Sequence, residues 1–316
     1  MALADARLPD GAPLDLPPGP PYACRGLGSW VGSSFALPAG DPLLPALVAG
    51  GPATVPAHDN LVGATAAWQQ PELARWLDFL DPRAPNHRDK LLERALYLHH
   101  WDPWLPVQGR VLDLGGGTGR FMAALLDRDL DVELVDPDLR SLWRAAQHAA
   151  GRPGRLDLHW STGTRLPDVP PFDAVLASEV LCYVDDPSAV LRAIRGALKP
   201  DGVLLASVEA RWGWAAALDA PPDTLEALVG DGVVHVPGDR WVRTYTASAV
   251  RALFSDWTLE CLLPTHYATS GPFELVAGEL ELPALLAWEE RLRQHPVLGP
   301  WNRAWTVVAR PTAPAG

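Results

Sequence analysis

A glycine-rich turn at the end of a short apolar strand constrains the fold of this 316-residue chain more than any other feature. In the segment RVLDLGGGTGRF, residues 110–121, the apolar run passes through Asp113 and continues into closely spaced glycines. Glycine permits a sharp turn and lets a ligand approach the backbone where a Cβ would block it. A buried strand, a glycine turn and a helix in this order predict a ligand site at the edge of an open parallel sheet.

Strand and helix patterns alternate along the chain on both sides of this turn. Apolar runs predict strands at residues 110–115, 131–136, 155–160, 172–178, 202–208, 257–267 and 305–310. Helical periodicity predicts helices at residues 119–127, 137–149, 188–198, 248–254 and 283–295. Strands and helices that alternate over short links form right-handed crossovers, so we expect an α/β fold with a mostly parallel sheet.

Three kinds of glycine loop compete for the turn. A phosphate-binding P-loop ends in Gly-Lys-Ser/Thr, and this segment has no lysine. The dinucleotide pattern Gly-x-Gly-x-x-Gly, counted from Gly115, requires a glycine where the chain has Arg120. The third pattern, Asp/Glu-x-Gly-x-Gly-x-Gly, is matched by Asp113, Gly115, Gly117 and Gly119. This match resembles motif I of the class I S-adenosylmethionine-dependent methyltransferases.

Two later segments continue this resemblance in the expected order. FDAVLASEVLCYVDDP, residues 172–187, is similar to the motif IV region, and LKPDGVLLASV, residues 198–208, is similar to the turn that enters the fifth strand. The resemblance implies a Rossmann-like, doubly wound fold with a mostly parallel seven-stranded sheet and flanking helices. It also implies a methyltransferase with S-adenosylmethionine as its cofactor.

The resemblance assigns cofactor contacts to the glycines of the loop and to five other residues. Asp113 is expected at the amino-acid portion of the cofactor, and Asp136, which ends the second strand, at the ribose hydroxyls. Ser178 and Glu179 end the fourth strand against the cofactor. Thr162 stands where many relatives place an aspartate for the adenine amino group. The structural alternatives are a helix cap for Asp113 and a turn residue for Asp136.

The methyl acceptor is predicted from the aromatic content of the chain. It has 14 Trp against 5 Tyr and 6 Phe. Several of the tryptophans lie outside the α/β core, in residues 1–105 and 211–245. Core packing would also explain most of them, whereas an aromatic pocket favours a small apolar or aromatic substrate, as in secondary metabolism. Glu209, Tyr183 and His235 are the candidate catalytic residues, because a proton-bearing acceptor needs a base.

The chain is expected to divide near residue 105. About half of the 33 prolines precede that point, where long helices and central strands are disfavoured. We expect an N-terminal Pro-rich segment and helical cap at 1–105, with helical spacing at 66–80 and 86–100. A cofactor-binding methyltransferase domain follows at 106–316, with a lid-like insertion at about 211–245. The N-terminal part is expected either to cover its own active site or to act as an arm of a homodimer.

Composition excludes several partners. The formal net charge is −12, which disfavours nucleic acid and anionic membrane surfaces. The three cysteines have no metal-site spacing, so no metal is expected. The chain shows neither a signal-peptide pattern at its start nor an apolar run long enough for a membrane span. These features predict a cytoplasmic protein.

Three other functions compete with methyl transfer. An enzyme of the same fold could cyclise or decarboxylate within S-adenosylmethionine, and the departure at Thr162 and the large insertion leave room for this chemistry. A non-catalytic cofactor-binding scaffold is disfavoured by the intact glycine loop. A nicotinamide-dependent oxidoreductase is disfavoured by Arg120.

Overall fold

The computed structural model describes residues 29–31, 34–36, 75–215, 222–236, 240–269 and 280–312. Most of the helix predicted at 66–80 lies outside the described residues, and within its last part residues 75–77 are helical. Near the N-terminus, β1 (Ser29–Val31) and β2 (Ser34–Ala36) pair in an antiparallel two-stranded sheet.

Most of the remaining strands form one large sheet. In chain order the strands are β3 (Arg110–Leu114), β4 (Asp131–Asp136), β5 (Leu156–Trp160), β6 (Phe172–Ser178), β7 (Leu198–Glu209), β8 (Val233–Val236), β9 (Arg240–Arg243), β10 (Trp257–Thr265) and β11 (Ala304–Pro311). The large sheet has the order β10-β11-β7-β6-β3-β4-β5, and β8 and β9 pair separately as an antiparallel hairpin.

Eight α-helices connect or cover these strands in the described residues. They are α1 (His87–Trp101), α2 (Met122–Leu126), α3 (Leu139–Ala149), α4 (Pro187–Ala197), α5 (Arg211–Ala215), α6 (Pro222–Val229), α7 (Ala247–Leu253) and α8 (Leu282–Gln294). No helix in this part of the chain is long and apolar enough to cross a membrane.

The sheet is parallel except at β11, which runs antiparallel to both β7 and β10. Strands β3, β4, β5, β6 and β7 pair in parallel, so their carboxyl ends meet at one edge. This order confirms the predicted Rossmann-like, mostly parallel seven-stranded sheet. It also brings together the residues that follow β3, β4 and β6, although they are far apart in sequence.

The sheet is covered on both faces, which explains the nearly continuous apolar run of its central strand. Val111 of β3 is fully buried in a cluster with residues of α1, α2 and α3. Its neighbour Leu112 points the other way, into a cluster with residues of α4 and α7. Alternation along one strand therefore supplies two cores, one on each side of the glycine turn.

The first crossover helix is shorter than predicted. Helix α2 begins at Met122, whereas the sequence pattern placed its start at Gly119. Gly119 has φ +96°, far from a helical value, so the residues between the glycines and Met122 belong to the turn.

The predicted insertion is folded onto the core. Between β7 and α7 it contains α5, α6 and the β8–β9 hairpin. Leu228, Val234 and Val242 from this segment are buried in the same cluster as Leu112. His235 alternates with Val234 along β8 and is exposed.

Candidate functional site

The glycine loop adopts a backbone that other residues would resist. Gly115, Gly117 and Gly119 have φ values of +65°, +56° and +96°. A Cβ built on Gly117 would meet no atom within 4 Å, so the space above this peptide is open. At Gly119 a Cβ would overlap the end of the buried Met122 side chain. The loop is therefore closed against the protein at Gly119 and open toward a ligand at Gly117.

Asp113 lies beneath the loop and caps the helix that follows it. Its Oδ2 accepts a hydrogen bond from the Met122 backbone N–H at 2.9 Å. Burial raises the pKa of this carboxyl to about 7, against the effect of its hydrogen bond and of Arg120. The cap anticipated as the structural alternative is therefore present, and Asp113 also lines the cavity described below.

Asp136 holds the other side of the loop. Its Oδ2 accepts from the Gly117 N–H at 2.9 Å and its Oδ1 from the Asp138 N–H at 2.8 Å. Burial and the nearby charge of Asp138 raise the pKa of Asp136 to about 7. One carboxylate thus fixes both the glycine turn and the entry into α3.

Two adjoining cavities open above the loop. The larger has a volume of about 310 Å³ and contains Asp113, Gly117 and Arg120 in its wall. The smaller has a volume of about 260 Å³ and contains Asp136 and Thr162. The residues shared by both walls are Leu77, Gly115, Ser141, Ser178, Glu179 and Tyr183. The shared wall makes them two parts of one cleft, of a size suited to a small ligand.

Glu179 projects into both parts of the cleft from a strained backbone, with φ +58°. Its Oε1 accepts from the Tyr97 hydroxyl at 3.0 Å and lies 3.5 Å from Arg120 Nη2. Burial acts to raise its pKa, but the Arg120 and Lys90 charges outweigh burial and hold it at about 2. Glu179 is therefore an anion in the wall of the cleft.

Arg120 is the centre of a buried charge cluster that the sequence pattern did not reveal. Its guanidinium donates to Ser178 Oγ at 3.0 Å and pairs with Glu93 Oε2 at 3.2 Å. The carbon of the guanidinium also lies 5.1 Å from the centre of the Phe121 ring. The one available signal was an arginine directly after the glycines, at the position where a dinucleotide loop has glycine.

The three candidate catalytic residues lie in different surroundings. Tyr183 lines both parts of the cleft. Glu209 is buried at the end of β7, where its Oε2 lies 2.6 Å from Arg303 Nη1 and accepts from Trp214 Nε1 at 3.2 Å. Burial raises the pKa of Glu209 to about 7, although the Arg303 charge opposes the shift. Glu209 is in the wall of neither part of the cleft.

His235 is not brought to this cleft. It lies on the exposed side of the β8–β9 hairpin, paired across it with Trp241, and contributes to neither cavity wall. The alternation of β8 turns Val234 inward and His235 outward, so the hairpin does not direct the imidazole into the core. The expectation that a lid supplies this side chain to the active site is corrected accordingly.

The described residues contain no group of three or more His, Cys, Asp or Glu side chains arranged to hold a metal ion.

Fold and cleft together define a class: a doubly wound α/β protein with a ligand site on a glycine loop after its first sheet strand. The chain matches a family model described as a methyltransferase domain over residues 66–264. This match covers more than half of the chain, and the chain belongs to this methyltransferase family.

Similar proteins carry related names. The chain is 32% identical over 136 residues to the ubiquinone biosynthesis O-methyltransferase of Idiomarina loihiensis. The aligned region covers 42% of this chain and 55% of that protein. The protein of the same name from Paracidovorax citrulli is 35% identical over 136 residues, covering 42% and 56%. The chain therefore aligns with about half the length of these curated relatives.

Among solved structures, magnesium protoporphyrin IX methyltransferase from Synechocystis PCC 6803 has a similar fold. Its TM-score is 0.50 at 14% identity, covering 78% of this chain and 97% of that one. Family membership and this fold confirm the resemblance to class I S-adenosylmethionine-dependent methyltransferases. Family membership also confirms the predicted enzyme class, a methyltransferase.

The cleft fits S-adenosylmethionine by its own chemistry. Open space above Gly117 leaves room for a ligand against the backbone. The buried Thr118 Oγ1 lines the larger cavity and has no hydrogen-bond partner among the described residues. The same cavity has Lys90 and Arg120 as cations beside Asp113 and Glu179 as carboxyl groups, which suits a zwitterionic amino-acid portion.

The open space at Gly117 gives a test of the site. We expect Gly117→Ala to weaken S-adenosylhomocysteine binding at least about tenfold, because the methyl group would occupy the space above the loop. The backbone cost of alanine at this positive φ is about 1–2 kcal/mol, a modest loss of stability. Isothermal titration calorimetry measures the affinity and calorimetric unfolding measures the stability.

Gly196→Ala is the control, since a Cβ there also meets no atom within 4 Å but lies in α4 and outside both cavity walls. We expect it to bind like the wild type. Equal affinity in Gly117→Ala would show that the ligand does not use this space.

Proposed function

We propose that this protein transfers the methyl group of S-adenosylmethionine to a small apolar or aromatic molecule. The observation that carries the proposal is one cleft whose wall contains Asp113 and Asp136 at the glycine loop together with Glu179 and Tyr183. Bound S-adenosylmethionine supplies a methyl group on a sulfonium that is already a good leaving group. The protein's task is then to orient the reactants and to receive any proton that the acceptor loses.

Each part of the cleft has a distinct task in this proposal. Asp136, Thr162 and Ser141 line the smaller cavity and would hold the nucleoside. Asp113 and Glu179 would face the positive charges of the amino-acid portion, and the cations Lys90 and Arg120 its carboxylate. Because these groups are already held by the fold, little reorganisation would accompany binding.

The acceptor would meet the apolar and aromatic part of the wall. Phe79 and Tyr183 line the larger cavity, and Leu77 lines both parts. These side chains support an apolar or aromatic substrate. The curated relatives are named O-methyltransferases, so oxygen is the first acceptor atom to screen.

Glu209 is the proposed base. It is the last residue of β7, at the carboxyl edge of the sheet, and a carboxyl whose pKa lies at about 7 changes protonation near neutral pH. Tyr183, in the cavity wall, is proposed to orient the acceptor. The proposal keeps a cytoplasmic location and the division near residue 105, with the N-terminal part acting as a cover.

Cofactor binding should depend on pH through the two carboxylates of the loop. Asp113 and Asp136 have raised pKa values of about 7, so both are partly protonated in the free protein below that pH. A ligand that offers an ammonium group and ribose hydroxyls favours their ionised forms. We therefore expect affinity for S-adenosylhomocysteine to rise by about tenfold per pH unit for each linked proton below pH 7.

Isothermal titration in two buffers of different ionisation enthalpy measures the proton release directly. Asp113→Asn should remove about one linked proton and flatten the pH dependence. Asp201→Asn, at an exposed position, is the control and should keep the wild-type slope. If the wild-type affinity did not change between about pH 5.5 and 7.5, the range around the raised pKa values, this role would be contradicted.

The raised pKa values of Asp113 and Asp136 also determine how the free energy of unfolding changes with pH when no ligand is bound. Below about pH 4 both aspartates are protonated in the folded and unfolded states, so they contribute no difference. Between about pH 4 and 7 the folded state holds the protons more tightly, and the free energy of unfolding falls as pH rises. Calorimetric unfolding at fixed salt should show this fall, and the ligand should reduce it.

The base is tested by turnover once an acceptor is found. We expect Glu209→Gln to lower kcat by about 10²–10⁴-fold while leaving S-adenosylhomocysteine affinity within about threefold of wild type. In the wild type, kcat should rise with pH through about 7, as Glu209 ionises. A kcat that Glu209→Gln leaves unchanged, with an acceptor that has a proton to lose, would refute this assignment.

The turnover assay includes a sample with no acceptor. Formation of methylthioadenosine in that sample would favour intramolecular chemistry on the cofactor. S-adenosylhomocysteine that forms only with an acceptor supports methyl transfer.

A further inference from the structure

A short segment before α1 covers the cleft. We call residues 75–86 the strap. Leu77 lines both parts of the cleft, and Phe79 lines the larger part. These side chains are half-buried and form an apolar part of the cleft wall. A ligand in the cleft must therefore pass the strap or the rim beside it.

Asp78, between those two residues, ties the strap to α3. Its side chain is buried, and its Oδ1 accepts from His148 Nε2 at 2.7 Å. Its Oδ2 lies 3.3 Å from Arg144 Nε. Arg144 and His148 are four residues apart on α3 and so lie on one face of the helix. Both partners converge on a single carboxylate.

The other attachments of the strap lead to α1. His87 Nδ1 lies 2.7 Å from the Phe79 carbonyl oxygen, and Asn86 Nδ2 donates to the Trp76 carbonyl oxygen at 3.2 Å. His87 is the first residue of α1, whereas Asn86 is the last residue of the strap and the N-cap of that helix, so its bond to Trp76 closes the strap on itself. The strap therefore runs between two anchors, with the cleft residues Leu77 and Phe79 on either side of Asp78.

Helix α3 serves the cleft and the strap at once. Ser141, in the first turn of α3, lines both parts of the cleft. Arg144 and His148 bind Asp78 further along the same helix. One residue of the cleft wall and the anchor of the strap therefore lie on the same helix.

We propose that Asp78 is a positioning residue that holds the strap closed over the bound cofactor and sets the rate at which the cofactor leaves. This inference rests on the proposed function and adds to it the control of cofactor release. Replacing Asp78 by a neutral side chain would remove the buried negative charge on which Arg144 and His148 converge, so the closed strap would lose its anchor on α3. Loss of a cover acts mainly on dissociation rates.

Asp78→Asn tests the inference, with Asp81→Asn as a matched control in the same strap. Asp81 pairs with Arg83, two residues away, and this pair lies within the strap itself. Stopped-flow displacement of S-adenosylhomocysteine from the full chain measures the dissociation rate. We expect Asp78→Asn to raise this rate about tenfold or more, and Asp81→Asn to leave it within about twofold of wild type.

Hydrogen exchange gives a second readout that is independent of the ligand. In the free protein, Asp78→Asn should speed amide exchange in residues 75–86 without speeding exchange in β3. His148→Gln, which removes a partner from the other side, should reproduce both effects if Asp78→Asn does not fold.

Two failures are distinguishable. If the folded wild type does not bind S-adenosylhomocysteine, the proposed function and this inference both fall. If it binds and the Asp78 and His148 variants release the ligand at the wild-type rate, only the inference is overturned.

Discussion

The site depends on two buried carboxylates that hold the glycine loop from opposite sides. Asp113 accepts from the first turn of α2, and Asp136 accepts from Gly117 and from the start of α3. Each side chain replaces backbone hydrogen bonds that a turn rich in positive φ values cannot make for itself. Both pKa values are raised to about 7 by burial, so the loop is stabilised at a cost in desolvation that a cationic ligand offsets.

The parallel sheet makes this arrangement possible. Because β3, β4 and β6 run in the same direction, Asp113, Asp136 and Ser178 reach one edge from three separate parts of the chain. The turn after β6 then places Glu179 in a left-handed conformation, which a β-strand or a helix would not allow. We read that strain as the consequence of aiming a carboxylate into the cleft while its partners Tyr97 and Arg120 hold it there.

The parts of the fold predicted from sequence are those governed by local pattern. The apolar run of β3 and the glycines after it are consecutive, and β4 and β6 each end in the polar residue expected at the edge. The contacts that escaped prediction join distant residues: Tyr97 to Glu179 across 82 positions, and Arg120 to Ser178 across 58. No periodicity or spacing encodes such pairs.

The candidate catalytic residues also show that a local sequence pattern does not determine where a side chain points. The motif around Tyr183 predicts a place at the site, and Tyr183 lines the cleft. The insertion pattern predicts the same for His235, but the two-residue alternation of β8 turns this side chain to solvent. Insertion boundaries follow from where regular patterns stop, whereas the direction of one side chain depends on the pairing of its strand. That pairing is decided by packing of Val234 and Val242 against the core.

The contacts of Arg120 join the glycine loop, α1 and the end of β6. It occupies the position at which a dinucleotide loop needs glycine, and its guanidinium is buried. A buried cation must be paired, so it lies against Glu93 from α1 and Glu179 after β6, with Phe121 beside it. The residue that separates this loop from the dinucleotide pattern is thus the one that connects α1 to the sheet edge.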